Sequence, residues 1–270
     1  FYTPESVVSF IVRSLDIILK EKLDIKKGFL DSSIKILDFA TGTGTFILAL
    51  IEYIKEELRN TNNYGLFNTE VNEFILENIY GFELLVVPYI ICHLRIHEYL
   101  ESFGFHYKGE KKERAEIYLT NTLENNTNIL LTNFFDDIDE EAQLAHNVKN
   151  NENILVIMGN PPYSVSSSNK TEFVENIMKT YKEAVRSERN IQPLSDDYIK
   201  FIRFAHWKME KVNKGVIGII TNNSFLDGII HRGMREELTK TFDEIYILNL
   251  HGNSNIGETC PDSSKDENVF

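Results

Sequence analysis

Asn160-Pro161-Pro162-Tyr163 is the stretch of this chain best equipped for chemistry. It closes an aliphatic run, Ile154-Leu155-Val156-Ile157, that predicts a buried strand. Prolines donate no backbone hydrogen bond and hold φ near about −65°. Each also pushes the residue before it toward extended geometry. The strand end therefore becomes a rigid rim bearing one amide, proline carbonyls and one aromatic plate. Those parts can hold a planar group that carries an NH2. Asn160 accepts through Oδ1, Pro161 accepts through its carbonyl, and Tyr163 stacks on the ring.

A second set of residues precedes it. Ile34-Lys35-Ile36-Leu37-Asp38 reads as a strand, Phe39 to Phe46 as a loop with Gly42 and Gly44, and Ile47–Leu58 as a helix. Small residues let the backbone approach a ligand, and the helix start presents free N–H groups. Ile47 stands where a dinucleotide fingerprint would place a third glycine. Asp38 suits a ligand with an amino or hydroxyl group; the plain alternative is a tight β–α turn with a capping acid. Asn78 to Glu83 reads as a strand ending in an acid, the place where doubly wound sheets receive ribose hydroxyls. Glu83 lies 45 positions after Asp38, against the usual spacing of about 20; an inserted polar loop within 60–78 accounts for the excess. A solvated strand-end acid is the alternative. Glu116–Leu123 reads as a third strand, where Asn121 either meets a ligand's polar edge or simply turns the chain.

The elements that must position these residues alternate between strand and helix. Apolar spacing predicts helices over 4–20, 86–100, 140–150 and 230–241, and another opening at Tyr198 after the cap region Ser195-Asp196-Asp197. Lys214–Ile220 reads as a fifth strand, Glu244–Leu250 as a sixth, and Asn268–Phe270 as the start of another. The Ser/Asn-rich stretch Ser164–Lys170 reads as mobile. Alternation predicts an α/β, doubly wound, mostly parallel sheet. Ligands of such sheets bind at the carboxyl ends of strands, and Asp38, Glu83, Asn121, Asn160 and Phe225 are all expected there.

Composition limits the partners. The chain has 270 residues, 42% of them hydrophobic, enough for a sizeable core. No apolar run approaches the roughly 18 residues of a membrane span. Cys92 and Cys260 offer neither metal spacing nor a disulfide framework, so a reducing cytoplasm is expected, with no metal. The net charge of −13 argues against tight nucleic-acid binding by this chain alone. It begins at Phe1 without Met and reads as a piece of a longer protein.

Five segments, in order, carry a resemblance: Phe1-Tyr2-Thr3-Pro4, Asp38–Phe46, Gly81-Phe82-Glu83, Asn160–Tyr163 and Asn222-Asn223-Ser224-Phe225-Leu226. Together they resemble the gamma class of adenine-N(6) DNA methyltransferases that use S-adenosylmethionine. Ile117–Glu124, Arg232–Arg235 and Asp266–Phe270 further resemble the methylase core of large single-polypeptide restriction–modification enzymes. The resemblance implies a seven-stranded Rossmann-like sheet with helices on both faces. It implies one catalytic domain over 1–270: an N-terminal helical cofactor part (1–30), a cofactor half with the catalytic loop (31–165) and a target-base half (166–270). Target recognition would lie outside this piece, and double-stranded DNA with a flipped adenine would be the partner.

The resemblance also implies roles. Tyr2, Thr3, Asp38, Ala40, Gly42 and Gly44 would hold the cofactor, Glu83 its ribose, and Leu84 and Asn121 its adenine. Asn121 stands where the family usually has Asp. Asn160, Pro161, Pro162 and Tyr163 would form the catalytic loop, with Phe225 or His231 as the second aromatic on the flipped base. Two other readings use the same parts: a protein-glutamine methyltransferase, whose substrate amide is also planar, and a catalytically silent cofactor sensor gating a nuclease.

Overall fold

The computed structural model describes residues 3–60, 72–102, 105, 114–125, 136–164 and 167–250. In chain order the elements are α1 (Glu5–Glu21), β1 (Ile36–Asp38), α2 (Thr45–Asn60), α3 (Asn72–Asn78), β2 (Ile79–Glu83), α4 (Val86–Glu101), β3 (Glu116–Leu119) and α5 (Asp136–Asn150). They continue with β4 (Val156–Gly159), α6 (Glu172–Glu183), α7 (Asp197–Met209), β5 (Val216–Ile219), the short α8 (Ser224–Asp227) and α9 (Arg232–Thr241). Single turns of 3-10 helix precede β1, α7 and α9.

The strands form one parallel sheet in the order β3-β2-β1-β4-β5. Successive side chains point to opposite faces of a strand, and both faces here are covered. Ile36, Ile79, Ile117, Val156 and Met158 join Val8, Val12, Leu15 and Leu19 of α1 and Phe46, Leu50 and Ile54 of α2 on one side. Leu37, Tyr80, Phe82, Tyr118 and Ile157 join Val174, Met178 and Tyr181 of α6 and Ile199, Phe204 and Ala205 of α7 on the other. The result is a three-layer α/β/α sandwich. Between β1 and β4 the order reverses direction, which opens a crevice beyond the strands' carboxyl ends.

Two expectations need correction. The sheet has five strands among the described residues, not seven. Residues 244–250 do not form a strand: no backbone hydrogen bond ties them to β5, and Ile245, Tyr246, Ile247 and Leu248 are exposed. Their apolar, β-branched and aromatic run has the local character of a strand, but a strand exists only through a neighbour's ladder. The expected strand start Asn268–Phe270 lies outside the described residues, as does Tyr2.

Candidate active site

The loop after β1 is shaped by two glycines in the left-handed region, Gly42 (φ 55°) and Gly44 (φ 85°). Gly42 faces open space, whereas a side chain at Gly44 would run into Cys92 of α4. The loop is tied to β2, because Thr41 N–H donates to the Phe82 carbonyl (3.0 Å). Glu83 completes the tie. One carboxylate oxygen accepts from Gly42 N–H (2.8 Å), the other from Leu85 N–H (2.7 Å). The acid thus joins the glycine loop to the start of α4, and each oxygen keeps a lone pair for a hydroxyl group. Arg95 donates to the Thr43 carbonyl (2.8 Å) and holds the loop from outside.

Asp38 lies under this loop at 1% exposure and does not line the cleft. Its Oδ1 accepts from Ala40 N–H (3.2 Å). Burial pushes its carboxyl up to about 7; the Ala40 N–H opposes the shift and the Glu83 charge adds to it. Gly44 is likewise set back from the cleft, whereas Ala40 and Gly42 line it.

The Asn160 rim is built as its residue types require. Gly159, the last residue of β4, has φ 149° and packs against Asp38 and Phe39, where a Cβ would meet Asp38 Oδ1 at 2.9 Å. Its carbonyl accepts from Ile220 N–H (3.1 Å), which anchors the rim to the end of β5. The Asn160 amide is oriented from two sides. Its Nδ2 donates to Thr3 Oγ1 (3.2 Å), and its Oδ1 accepts from Tyr163 O–H (3.1 Å). The amide nitrogen thus faces Thr3 and the oxygen faces Tyr163. Burial pushes the Tyr163 phenol up to about 12, with the Asp196 charge adding to it, so it remains a donor at neutral pH. Pro161 is buried, while Pro162 and Tyr163 are exposed at the lip, with the Tyr163 ring 5.9 Å from Tyr198.

Thr3, Ala40, Gly42, Glu83, Leu84, Asn121, Asn160, Pro161, Pro162, Tyr163 and Phe225 thus share one cleft. Phe225 follows a turn in which Asn222 Oδ1 accepts from Ser224 N–H (2.7 Å), and Arg235 grips its carbonyl (2.7 Å). His231 is elsewhere. It is 4% exposed, does not line the cleft, and has no hydrogen-bond partner on either ring nitrogen among the described residues. Burial and the Arg235 charge hold its pKa below the usual value. Of the two residues expected as a second aromatic, the structure brings only Phe225 to Tyr163's cleft.

Several cleft residues escaped the sequence reading. Thr122 lines the cleft and donates to the Phe39 carbonyl (2.7 Å). Asn169, in the stretch expected to be mobile, also lines it. Its described residues Ser164, Ser167 and Asn169 are tied down. Ser164 N–H donates to Asp196 (2.8 Å), Ser167 donates to Asp197, and Lys200, 1% exposed, donates to Ser167 Oγ (2.7 Å) and to the Asn169 carbonyl. The signal was the pair of acids opening α7, which the sequence offered only as a helix cap.

Known proteins carry the same architecture. The sequence profile of the Eco57I restriction-modification methylase family matches residues 77–256. The type II methyltransferase M.BstVI of Geobacillus stearothermophilus is 24% identical over 221 residues, covering 82% of this chain and 34% of its own. The ATP-dependent type ISP restriction-modification enzyme LlaBIII, solved bound to DNA, superposes with a TM-score of 0.71 at 29% identity, covering 88% of this chain and 16% of its own. The DrdV–DNA complex does so with a TM-score of 0.72 at 31% identity, covering 94% and 24%. This chain therefore spans about a third of the curated relative and a quarter or less of these two solved proteins. The profile covers the strand that ends at Glu83, the Asn160–Tyr163 rim and the Phe225 segment alike, so the chain belongs to the Eco57I restriction-modification methylase family.

Proposed function

We propose that this chain is the S-adenosylmethionine-dependent catalytic domain of a DNA adenine-N(6) methyltransferase in a restriction–modification enzyme. The observation that carries the reading is the Asn160 amide. Its oxygen is turned toward Tyr163 at the lip of the cleft that the glycine loop and Glu83 also line. An acceptor so placed suits a planar amine entering that cleft.

The residues fit the cofactor. Gly42 leaves open space for a close approach, and Glu83 offers lone pairs for ribose hydroxyls. When bound, S-adenosylmethionine supplies an electrophilic methyl group. The protein's own part is orientation. Asn160 Oδ1 and the Pro161 carbonyl accept the two N–H bonds of the target amine, which draws its lone pair out of conjugation with the ring. Tyr163 stacks on the flipped base, with Phe225 as the second aromatic, and offsets part of the few kcal/mol that unstacking costs. Holding the reactants in line supplies most of the acceleration, so no separate strong base is needed.

The test is radiolabelled methyl transfer by the full-length protein to unmethylated DNA, followed by nucleoside analysis. N(6)-methyladenine is expected. Asn160→Ala should lower turnover by about 10² or more while calorimetry finds cofactor affinity within about threefold of wild type. Label on a protein glutamine, label nowhere, or an undiminished Asn160→Ala rate would each overturn the reading.

A further inference from the structure

Asn121 stands where the resemblance implies an aspartate. The structure shows that it does not act alone. Its Oδ1 accepts from Leu123 N–H (3.0 Å), and its Nδ2 donates to Asn169 Oδ1 (3.1 Å). Asn169 Nδ2 in turn donates to Asp197 (3.0 Å). A backbone N–H can only donate, so it fixes which end of the Asn121 amide is oxygen. A carboxylate only accepts, so it fixes the Asn169 amide. Asp197 is itself held, since the same oxygen accepts from Ser167, which accepts from the buried Lys200. Neither amide can turn over without breaking this chain of bonds.

Asn121 and Asn169 both line the cleft, and two of their polar groups are left over side by side. One is the second N–H of Asn121, which has no partner among the described residues; the other is the second lone pair of Asn169 Oδ1. An acceptor beside a donor is the complement of adenine's amino group and its adjacent ring nitrogen. Asn121 follows β3, whose neighbour β2 ends in Glu83, and Asn169 bonds to it from the segment after β4, so the pair lies at the Glu83 end of the sheet. We infer that Asn121 and Asn169 together read the adenine edge of the cofactor, with Asn169 Oδ1 accepting the amino N–H and Asn121 donating to the ring nitrogen. Asn169 is thus a specificity-determining residue that supplies the acceptor an aspartate at position 121 would have supplied. The inference rests on the cofactor reading above.

Hypoxanthine provides the test, because it carries an oxo group where adenine carries the amine and so sets acceptor against acceptor at Asn169. Calorimetric titration of the whole chain with S-adenosylhomocysteine and with S-inosylhomocysteine should show wild type preferring the adenosyl form by about tenfold or more. Asn169→Leu should cut that preference to about threefold or less by losing affinity for the adenosyl form alone. Glu83→Ala, which removes a ribose contact, should weaken both ligands and keep the ratio. If Asn169→Leu does not fold, as judged by circular dichroism, Asp197→Asn serves instead, since an amide there allows Asn169 either orientation and should also collapse the ratio. A ratio that survives whichever of these two variants folds would overturn the assignment. Wild type binding neither ligand would overturn the cofactor reading itself.

Discussion

Asp38 sits between the glycine loop and β4 with no cation beside it among the described residues, and its carboxyl is pushed up to about 7 chiefly by burial. The folded protein therefore keeps a proton that the unfolded chain releases near the ordinary value of 3.8. Between these two values the folded state binds more protons, so stability falls as pH rises toward 7 and stays reduced above it. Asp38→Asn keeps an acceptor for Ala40 N–H and has no proton to lose. It should be more stable than wild type at pH 8, by at most about 4 kcal/mol, and nearly equal at pH 4. Urea unfolding at the two pH values measures this; an equal difference at both would contradict it. Thr3 tests a different dependence. Thr3→Val removes the hydroxyl that takes Asn160 Nδ2 and leaves the amide free to turn its N–H toward the amine of the proposed substrate, donor against donor. A loss of about tenfold in kcat is expected with Thr3→Ser near wild type, since one hydrogen bond is worth about 1.4 kcal/mol here. Equal losses in both variants would assign Thr3 a packing role only.

At the scale of elements, helix α5 depends on α7 for its ending. Lys208 is 1% exposed and donates to the carbonyls of Val148 (2.6 Å), Lys149 (2.9 Å) and Glu152 (2.7 Å). The last carbonyls of a helix have no partner within it, and here a cation from another helix serves them. Lys149 repeats the device, donating to Thr120 Oγ1 and to the carbonyls of Asn121 and Glu124, and so holds the turn that carries Asn121. Lys208→Met should cost about 2–4 kcal/mol by leaving buried carbonyls unserved. A lower urea midpoint at unchanged slope would show it, and an unchanged midpoint would refute it. Neither lysine was legible in the sequence, because their partners are backbone atoms distant along the chain. The strands and most helices were legible, since each carries its own periodicity. Helix α6 was overlooked although Val174, Ile177, Met178 and Tyr181 recur at helical spacing behind the Thr171 cap. Residues 244–250 failed the other way, with a strand's pattern and no strand's ladder. The candidate site divides similarly. Gly42, Glu83 and Asn160 were readable because each ends or closely follows a strand, whereas Asn169 reaches the cleft only through Asp197 and Lys200, a tertiary arrangement with no local signature.

For the whole molecule, the net charge of −13 has a local counterpart. Glu21, Glu83, Asp197, Glu210, Asp243 and Glu244 line the groove, against Lys22 and Lys214 as its basic residues. Lys22 is already paired with Glu244 (3.0 Å), and Lys214 leans on the Leu23 carbonyl. A groove with that balance favours a cationic small ligand and repels a polyanion. Phosphate contacts supply most nucleic-acid affinity, and each released counterion steepens the salt dependence. This chain by itself should therefore bind duplex DNA with a dissociation constant above about 10⁻⁵ M at roughly 0.15 M salt. The slope of log affinity against log salt should be shallower than about −3, corresponding to few phosphate contacts. Fluorescence anisotropy with a labelled duplex across a salt series gives both numbers. Cofactor affinity should instead vary little over the same series, because a ligand seated in the cleft is screened less than one lying across the surface. Tight DNA binding with a steep slope would mean that basic side chains gather on a face away from this groove, and the path of the target base into the cleft would have to be redrawn from that face.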